Sequence, residues 1–346
     1  MLRYVIVVSG ILLLAATTSS QVSSTKLFSL SYGTGQSEVR WKPMSAEGEF
    51  DDERPLLFRV LRSGDFLLLS KIADRLLVQI FNRSGQLKSS YTIDRDYTTL
   101  ADVFVTCEGV VYCLSQFGTD TPEGVDMLQM YDAEGKPISV VADKILLDTF
   151  KQLQADFIYP LSLRVESSSE DVFFLVSSEN DKSVKHWIRV RSKGDAVEAL
   201  PIKEGWINKD ICGLLIVNSI PEDYSSPIEK VAVSTLDGTA IAEFPIHIDQ
   251  LSKGSLFFRE NVAVSPDRRF IVIEAFGEDS ERPDSRFQVR YLGVYDRDGK
   301  EVLVLPTTVL GGRMWDMDRN CHLYYLHFTP KSVEVRKINP LVETPQ

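Results

Sequence analysis

A short polar turn ending in glycine recurs along this chain, each time between two runs of apolar, β-branched and aromatic residues. It stands at Asn82-Arg-Ser-Gly85, Asp132-Ala-Glu-Gly135, Arg191-Ser-Lys-Gly194, Thr235-Leu-Asp-Gly238 and Asp296-Arg-Asp-Gly299. The preceding segments, such as LLVQIF, KHWIRVR and EKVAVST, read as strands. A glycine at such a turn supplies the positive φ that a hairpin needs. A second marker lies roughly 20–30 residues upstream of each, a turn entering a strongly apolar strand. It is seen in Gly64-Asp-FLLLS, Gly109-VVYCLS, Asp171-VFFLVSS, Gly213-LLIVNS, Asp267-Arg-Arg-FIVIEAFG and Asn320-Cys-His-LYYLHF. Six upstream and five downstream markers alternate strictly, with a period of roughly 50 residues, the range of propellers and arrays.

The sixth unit stops after its third strand, SVEVRKI (332–338), at Pro340. A four-stranded unit short of its last strand needs a donor, and Lys26-Leu-Phe-Ser-Leu-Ser31 or Ser37-Glu-Val-Arg-Trp41 precedes the first unit. Closure of this kind removes exposed sheet edges. The expected architecture is all-β: one six-bladed β-propeller closed by an N-terminal strand. The competing arrangement is two smaller β-sandwich domains, against which stands the lack of a Pro/Gly/Ser-rich linker. Residues 143–157 break the pattern: Leu146, Phe150, Leu153 and Phe157 form the stripe of an amphipathic helix. It is expected to pack on the rim of the ring, the sharper alternative being a partner-binding helix.

Residues 1–20 read as a signal peptide. Met1-Leu-Arg3 is a basic start, Tyr4–Ala16 is apolar, and Thr17–Ser20 gives a small-residue exit. The apolar run is short of the ~20 residues that span a bilayer. The expected division is therefore 1–20 signal peptide, 21–55 a segment supplying the closing strand, and 56–346 the propeller. The exported product, secreted or periplasmic, is expected as a monomer with no membrane span. Composition supports a globular chain: of 346 residues, 44% are hydrophobic and 25% charged, with 38 basic against 49 acidic side chains and a net charge of −11. That balance argues against disorder and against a general nucleic-acid binder.

The first unit, GEFDDERPLLFRVLRSGDFLLLSKIADRLLVQIFNRSGQ, resembles an NHL-type propeller repeat. Pro55, Gly64, Asp65, Val78, Gln79, Ile80, Phe81 and Gly85 stand at matching positions, while Ser70 and Leu77 depart from the family's usual Asp and Arg. Val262-Ala-Val-Ser-Pro-Asp267-Arg-Arg-Phe270 is similar to the Ser-Pro-Asp-Gly turn of translocation-associated and lactonase-type propellers, with Arg268 in place of the Gly. The resemblance implies a six-bladed propeller and no particular activity, because propellers host enzymes, receptors and scaffolds.

Candidate chemistry is sparse. The inner-strand segments offer Asp102, Asn261 and Asp316 as oxygen ligands, too scattered to define a metal site. Asp316-Met-Asp318-Arg-Asn320 opens like a calcium loop but has Cys321 in place of the Gly at position 6 and His327 in place of the Glu at position 12, so a polar turn is the plainer reading. His247-Ile-Asp249 places two ligand types on one strand face without a third. No nucleophile elbow, phosphate loop or His-Glu-x-x-His string occurs. If Glu108-Gly109 is a two-residue loop, Cys113 opposes Phe104, and Cys107 and Cys113 lie too far apart to bridge. Cys212 and Cys321 have no local partner in the sequence. Asn82-Arg-Ser84 is a glycosylation sequon in an expected turn.

The loops between second and third strands, near 70–75, 115–126, 177–184, 219–228, 275–288 and 327–331, carry twelve carboxylates against six cationic side chains. Phe117, Tyr224, Phe276, Phe287 and Phe328 are interleaved among them. This face is either a solvated surface or a recognition surface for a cationic protein or peptide. The binding candidates are Asp120, Glu123, Asp126, Glu222, Asp223, Tyr224, Glu278, Asp279, Glu281 and Asp284. Two functions compete: a non-catalytic binding or scaffolding propeller, and a metal-dependent lactonase- or esterase-type hydrolase with its site at the channel mouth. A structural or surface-layer component is not separable from the first. No cofactor is expected, with room left for a single calcium ion.

Overall fold

A computed structural model describes residues 24–41, 53–94, 100–116, 127–140, 143–158, 162–166, 169–178, 185–192, 196–200, 206–207, 215–217, 230–234, 239–245, 256–265, 267–278, 288–307 and 314–338. The proposed signal peptide, Cys212 and the His247–Asp249 pair lie outside these residues.

Strand β1 (Ser24–Ser31) stands first. Strands β2 (Arg54–Val60), β3 (Phe66–Ile72), β4 (Arg75–Phe81) and β5 (Leu87–Ile93) pair in order into the first complete sheet. The second comprises β6 (Leu100–Val105), β7 (Val111–Ser115), β8 (Leu128–Tyr131) and β9 (Pro137–Val140). Helix α1 (Asp143–Leu153) precedes the third sheet, in which β10 (Phe157–Ile158) and β11 (Arg164–Val165) both pair β12 (Val172–Ser177), followed by β13 (Lys185–Val190) and β14 (Val197–Leu200). The fourth is β15 (Trp206–Ile207), β16 (Leu215–Val217), β17 (Lys230–Ser234) and β18 (Ala240–Pro245), and the fifth is β19 (Leu256–Val264), β20 (Phe270–Glu278), β21 (Gln288–Asp296) and β22 (Glu301–Thr307). The last sheet runs β23 (Trp315–Met317), β24 (Leu323–Phe328), β25 (Ser332–Ile338), and its fourth member is β1, antiparallel to β25. All pairings within these six sheets are antiparallel meanders, apart from the chain-distant β1 and the split β10/β11. Of the two donor segments, 37–41 forms no strand, Val39 making only an isolated bridge to Tyr32.

The core lies between sheets. One cluster joins the first and second sheets through Leu57, Leu67 and Val111, and another joins the second and third through Phe104, Leu114 and Phe174. A third joins the fifth and last through Phe270 and Trp315, and a fourth joins the last and first through Phe28, Phe66 and Tyr324. Sheets stacked face to face around a succession of apolar seams are the arrangement of a β-propeller, and the molecule is an all-β propeller with one short helix.

The hairpin turns have a common chemistry. Asn82, Asp132, Asp296 and Asp318 each accept, through Oδ1, the backbone N–H groups two and four residues on, at 2.8–3.0 Å. The fourth turn residue adopts positive φ: Gly85, Gly135 and Gly299, and Cys321 (φ 60°) in the last sheet. This is a type I turn followed by a left-handed residue, a three-residue loop rather than a two-residue one. The difference corrects the expected register around Glu108-Gly109. Thr106 bonds Val110 across the loop, and Cys113 opposes Val103 rather than Phe104. Cys107, Cys113 and Cys321 form no disulfide with one another among the described residues.

Helix α1 buries Leu146 and Phe150 against the second and third sheets. It ends before Phe157, which the apolar stripe had included and which instead begins β10. Gln154 (φ 53°) is left-handed, its N–H reaches Lys151 O at 3.2 Å, and the Ala155 N–H reaches Phe150 O at 2.9 Å. This pair of bonds is a Schellman termination, and it stops a helix whose apolar periodicity continues past it.

Candidate functional site

Two inner-strand carboxylates cross from one sheet to the next. Asp316 on β23 accepts the Val60 N–H at 2.8 Å through Oδ2 and the Arg59 guanidinium at 3.2 Å through Oδ1. Both partners of this ion pair are 2% exposed. Asp102 on β6 accepts the Leu163 N–H at 2.7 Å, immediately before the buried Arg164. In each case the acid of one sheet holds the inner backbone of its successor. These are two of the three residues weighed as metal ligands from the sequence; the side chain of the third, Asn261, lies outside the described residues.

Above the Arg59–Asp316 pair opens a cavity of about 580 Å³ at the seam between the last and first sheets. It lies at the hairpin-turn end of the strands, with turns 61–64, 82–85 and 318–321 around its mouth. Five cationic side chains line it against two carboxylates. Asp316 is matched by Arg59. Asp318 is saturated: besides its two backbone donors it takes a hydrogen bond from Tyr324 Oη at 3.0 Å, and its Oδ2 lies 2.9 Å from His322 Nδ1. Burial, reinforced by the Asp318 charge, pushes the Tyr324 hydroxyl well above the ordinary tyrosine range, which keeps it a donor. The polar turn reading of 316–320 is thus realised: Asp316 and Asp318 face different partners.

The cations divide into matched and unmatched. Arg62 pairs with Glu108. Arg83, Arg319 and Lys337 make no ion pair among the described residues. The Arg83 guanidinium lies over Gly64, where an added Cβ would fall 2.2 Å from Nη2, and it reaches Ser63 O at 3.4 Å. Lys337 Nζ sits 5.7 Å from the centre of the Tyr324 ring, a cation–π distance.

Of the residues expected to bind a partner, Glu278 ends β20, where its backbone pairs with Gln288. Asp120, Glu123, Asp126, Glu222, Asp223, Tyr224, Asp279, Glu281 and Asp284 lie outside the described residues. Two details of that loop face change. The connection in the first sheet is a tight reversal through Ala73 and Asp74, with Arg75 paired to Asp94 at 3.1 Å. Phe328, expected in an exposed loop, is 8% exposed and packs against Trp41 with ring centres 5.1 Å apart, because the 32–41 segment folds over it. The sequence reading missed the seam cavity. A signal for it exists: Arg62, Arg83 and Arg319 each occupy the second position of a hairpin turn, in Leu61-Arg-Ser-Gly64, Asn82-Arg-Ser-Gly85 and Asp318-Arg-Asn-Cys321.

No family model and no curated protein matches the sequence. Among solved structures, the chain is similar to the gluconolactonase XC5397 from Xanthomonas campestris, at 11% identity and a TM-score of 0.45 over 89% of this chain and 97% of that one. It is similar to TolB from Acinetobacter baumannii at 13% identity and a TM-score of 0.44, over 75% and 56% of the respective chains. The Dos1 propeller matches at 10% identity and a TM-score of 0.41 over 88% and 84%.

Proposed function

We propose that this chain is an exported, non-catalytic binding or scaffolding propeller, secreted or periplasmic, of six blades closed by β1. Closure is supported by the pairing of β1 with β25 and by the apolar seam between the last and first sheets. The observation that carries the binding reading is the engagement of Asp102 and Asp316 as ties between successive sheets. A metal-dependent hydrolase of the lactonase kind needs several such carboxylates converging on the channel with free oxygens. Here Asp102 and Asp316 are 7% and 2% exposed and each accepts a backbone N–H of the neighbouring sheet, while the side chains of Glu260 and Asn261 on β19 lie outside the described residues.

The partner is a cationic protein or peptide on the acidic loops between second and third strands. Loops on a rigid scaffold are where recognition is usually built, and aromatic residues among them are a common contact element. The test is binding of an oligolysine peptide to the exported chain. Affinity is expected to fall with salt and with the combined reversal Glu278→Lys, Asp279→Lys and Glu281→Lys. Binding indifferent to both would refute the assignment of the face.

A further inference from the structure

We propose that the seam cavity is a second binding site, for a small ligand bearing two or more carboxylate or phosphate groups. The cavity belongs to the hairpin-turn end of the strands, whereas Glu278 stands at the other end of β20, so this site stands independently of the cationic partner.

The volume, about 580 Å³, is that of a small-molecule pocket. Its charge runs against that of the chain. A protein with net charge −11 here gathers five cations around two acids, and both acids are internally satisfied. Three cations make no ion pair among the described residues, Arg83 acting on Asp65 only at longer range, and they approach from two sides. Arg83 comes from the first sheet, and Arg319 and Lys337 come from the last. Two oxyanionic groups on one molecule can engage both sides at once. The arginines are suited to bidentate contact with planar carboxylate or with phosphate oxygens, and Lys337 acts as a point charge. Asn320 and the half-buried His322 add polar groups on the lining, and Leu27 and Phe66 give it apolar walls.

The site is also built rather than accidental. Arg83 is seated over a glycine whose φ of +81° and missing Cβ make the room for it. Asp318 keeps its charge but commits its oxygens to hydrogen bonds with Tyr324, His322 and the turn backbone, and it makes no ion pair with Arg83, Arg319 or Lys337.

The experiment is isothermal titration of the exported chain at low ionic strength with citrate and, separately, with pyrophosphate. At least one probe is expected to bind at one equivalent, and its affinity is expected to fall roughly tenfold or more between about 20 and about 200 mM salt. Binding of citrate alone assigns a polycarboxylate, and binding of pyrophosphate alone assigns a phosphate ligand. The double variant Arg319→Ala, Lys337→Ala weakens binding by roughly tenfold or more at an unchanged melting temperature. Should that variant be unstable, Arg319→Glu, a change at an exposed turn residue, reports the same loss. The loop-face reversal at Glu278, Asp279 and Glu281 leaves probe binding intact. Failure of both probes to bind, or binding untouched by Arg319→Glu, would overturn the assignment.

Discussion

Arg268 shows how a single residue can depart from the rule of its turn and still be held by it. The Ser265 hydroxyl caps the turn, accepting the Arg269 and Phe270 N–H groups at 3.1 and 3.0 Å. Arg268 then takes the left-handed position, at φ 59°, that a glycine fills in the similar turn of other propellers. Side chains with a Cβ are strained there. Arg268→Gly is therefore expected to raise stability by about 0.5–1 kcal/mol, read from the denaturant midpoint, with the slope unchanged. An unchanged or lower midpoint would show that the Arg side chain contributes more than its backbone strain costs. The Asx-capped turns were legible because an Asp or Asn three residues before a Gly signals its own hydrogen bonds. The loop length was not, since two- and three-residue hairpins share the same glycine. That single residue shifted Cys113 from Phe104 to Val103.

At the scale of elements, β1 earns its place by repeating what another strand does. Tyr91 on β5 covers the turn at Gly135, where an added Cβ would fall 2.3 Å from its ring. Phe28 on β1 covers the turn at Gly85 in the same way, at 2.5 Å. Both strands lie at the far edge of their sheets and lay an aromatic ring on the third hairpin of the next one. Phe28 also meets Phe66, with ring centres 5.5 Å apart, and Phe66 in turn meets Tyr324. Residues 32–39 extend the tie, because Gln79 Nε2 donates to Gln36 O and Glu38 O at 2.7 and 2.9 Å. Phe28→Ala is expected to cost about 3 kcal/mol in an otherwise cooperative unfolding transition. A cost below about 0.5 kcal/mol, the level of a surface substitution, would mean that β1 is an ornament on the edge and not part of the ring. The pairing of an N-terminal strand with SVEVRKI was expected from the sequence, and β1 pairs with β25. The end of α1 was not legible, because its stop is a backbone conformation at Gln154 that no glycine announces.

For the whole molecule, charge is the property that acquires a location. The sequence leads to the expectation of an acidic surplus on one set of loops, most of which lie outside the described residues, and the structure adds a cationic cavity at the hairpin-turn end of the strands. Sequence spacing could not reveal that cavity: Arg59 and Asp316 are 257 residues apart and meet only when the last sheet is brought beside the first. The same pair supports the proposed binding function, since an inner-strand acid tied to a neighbouring backbone acts as an architectural group and a metal ligand needs its oxygens free. The most direct measurement is the melting temperature of the full chain with and without excess calcium or zinc, alongside Asp316→Ala. No stabilisation by either ion is expected. A loss of at least about 5 °C is expected in the variant, because removing one partner of a buried ion pair takes from Arg59 the carboxylate it meets at 3.2 Å. A rise of several degrees with either ion, abolished by Asp316→Ala, would contradict it and make the channel a metal site.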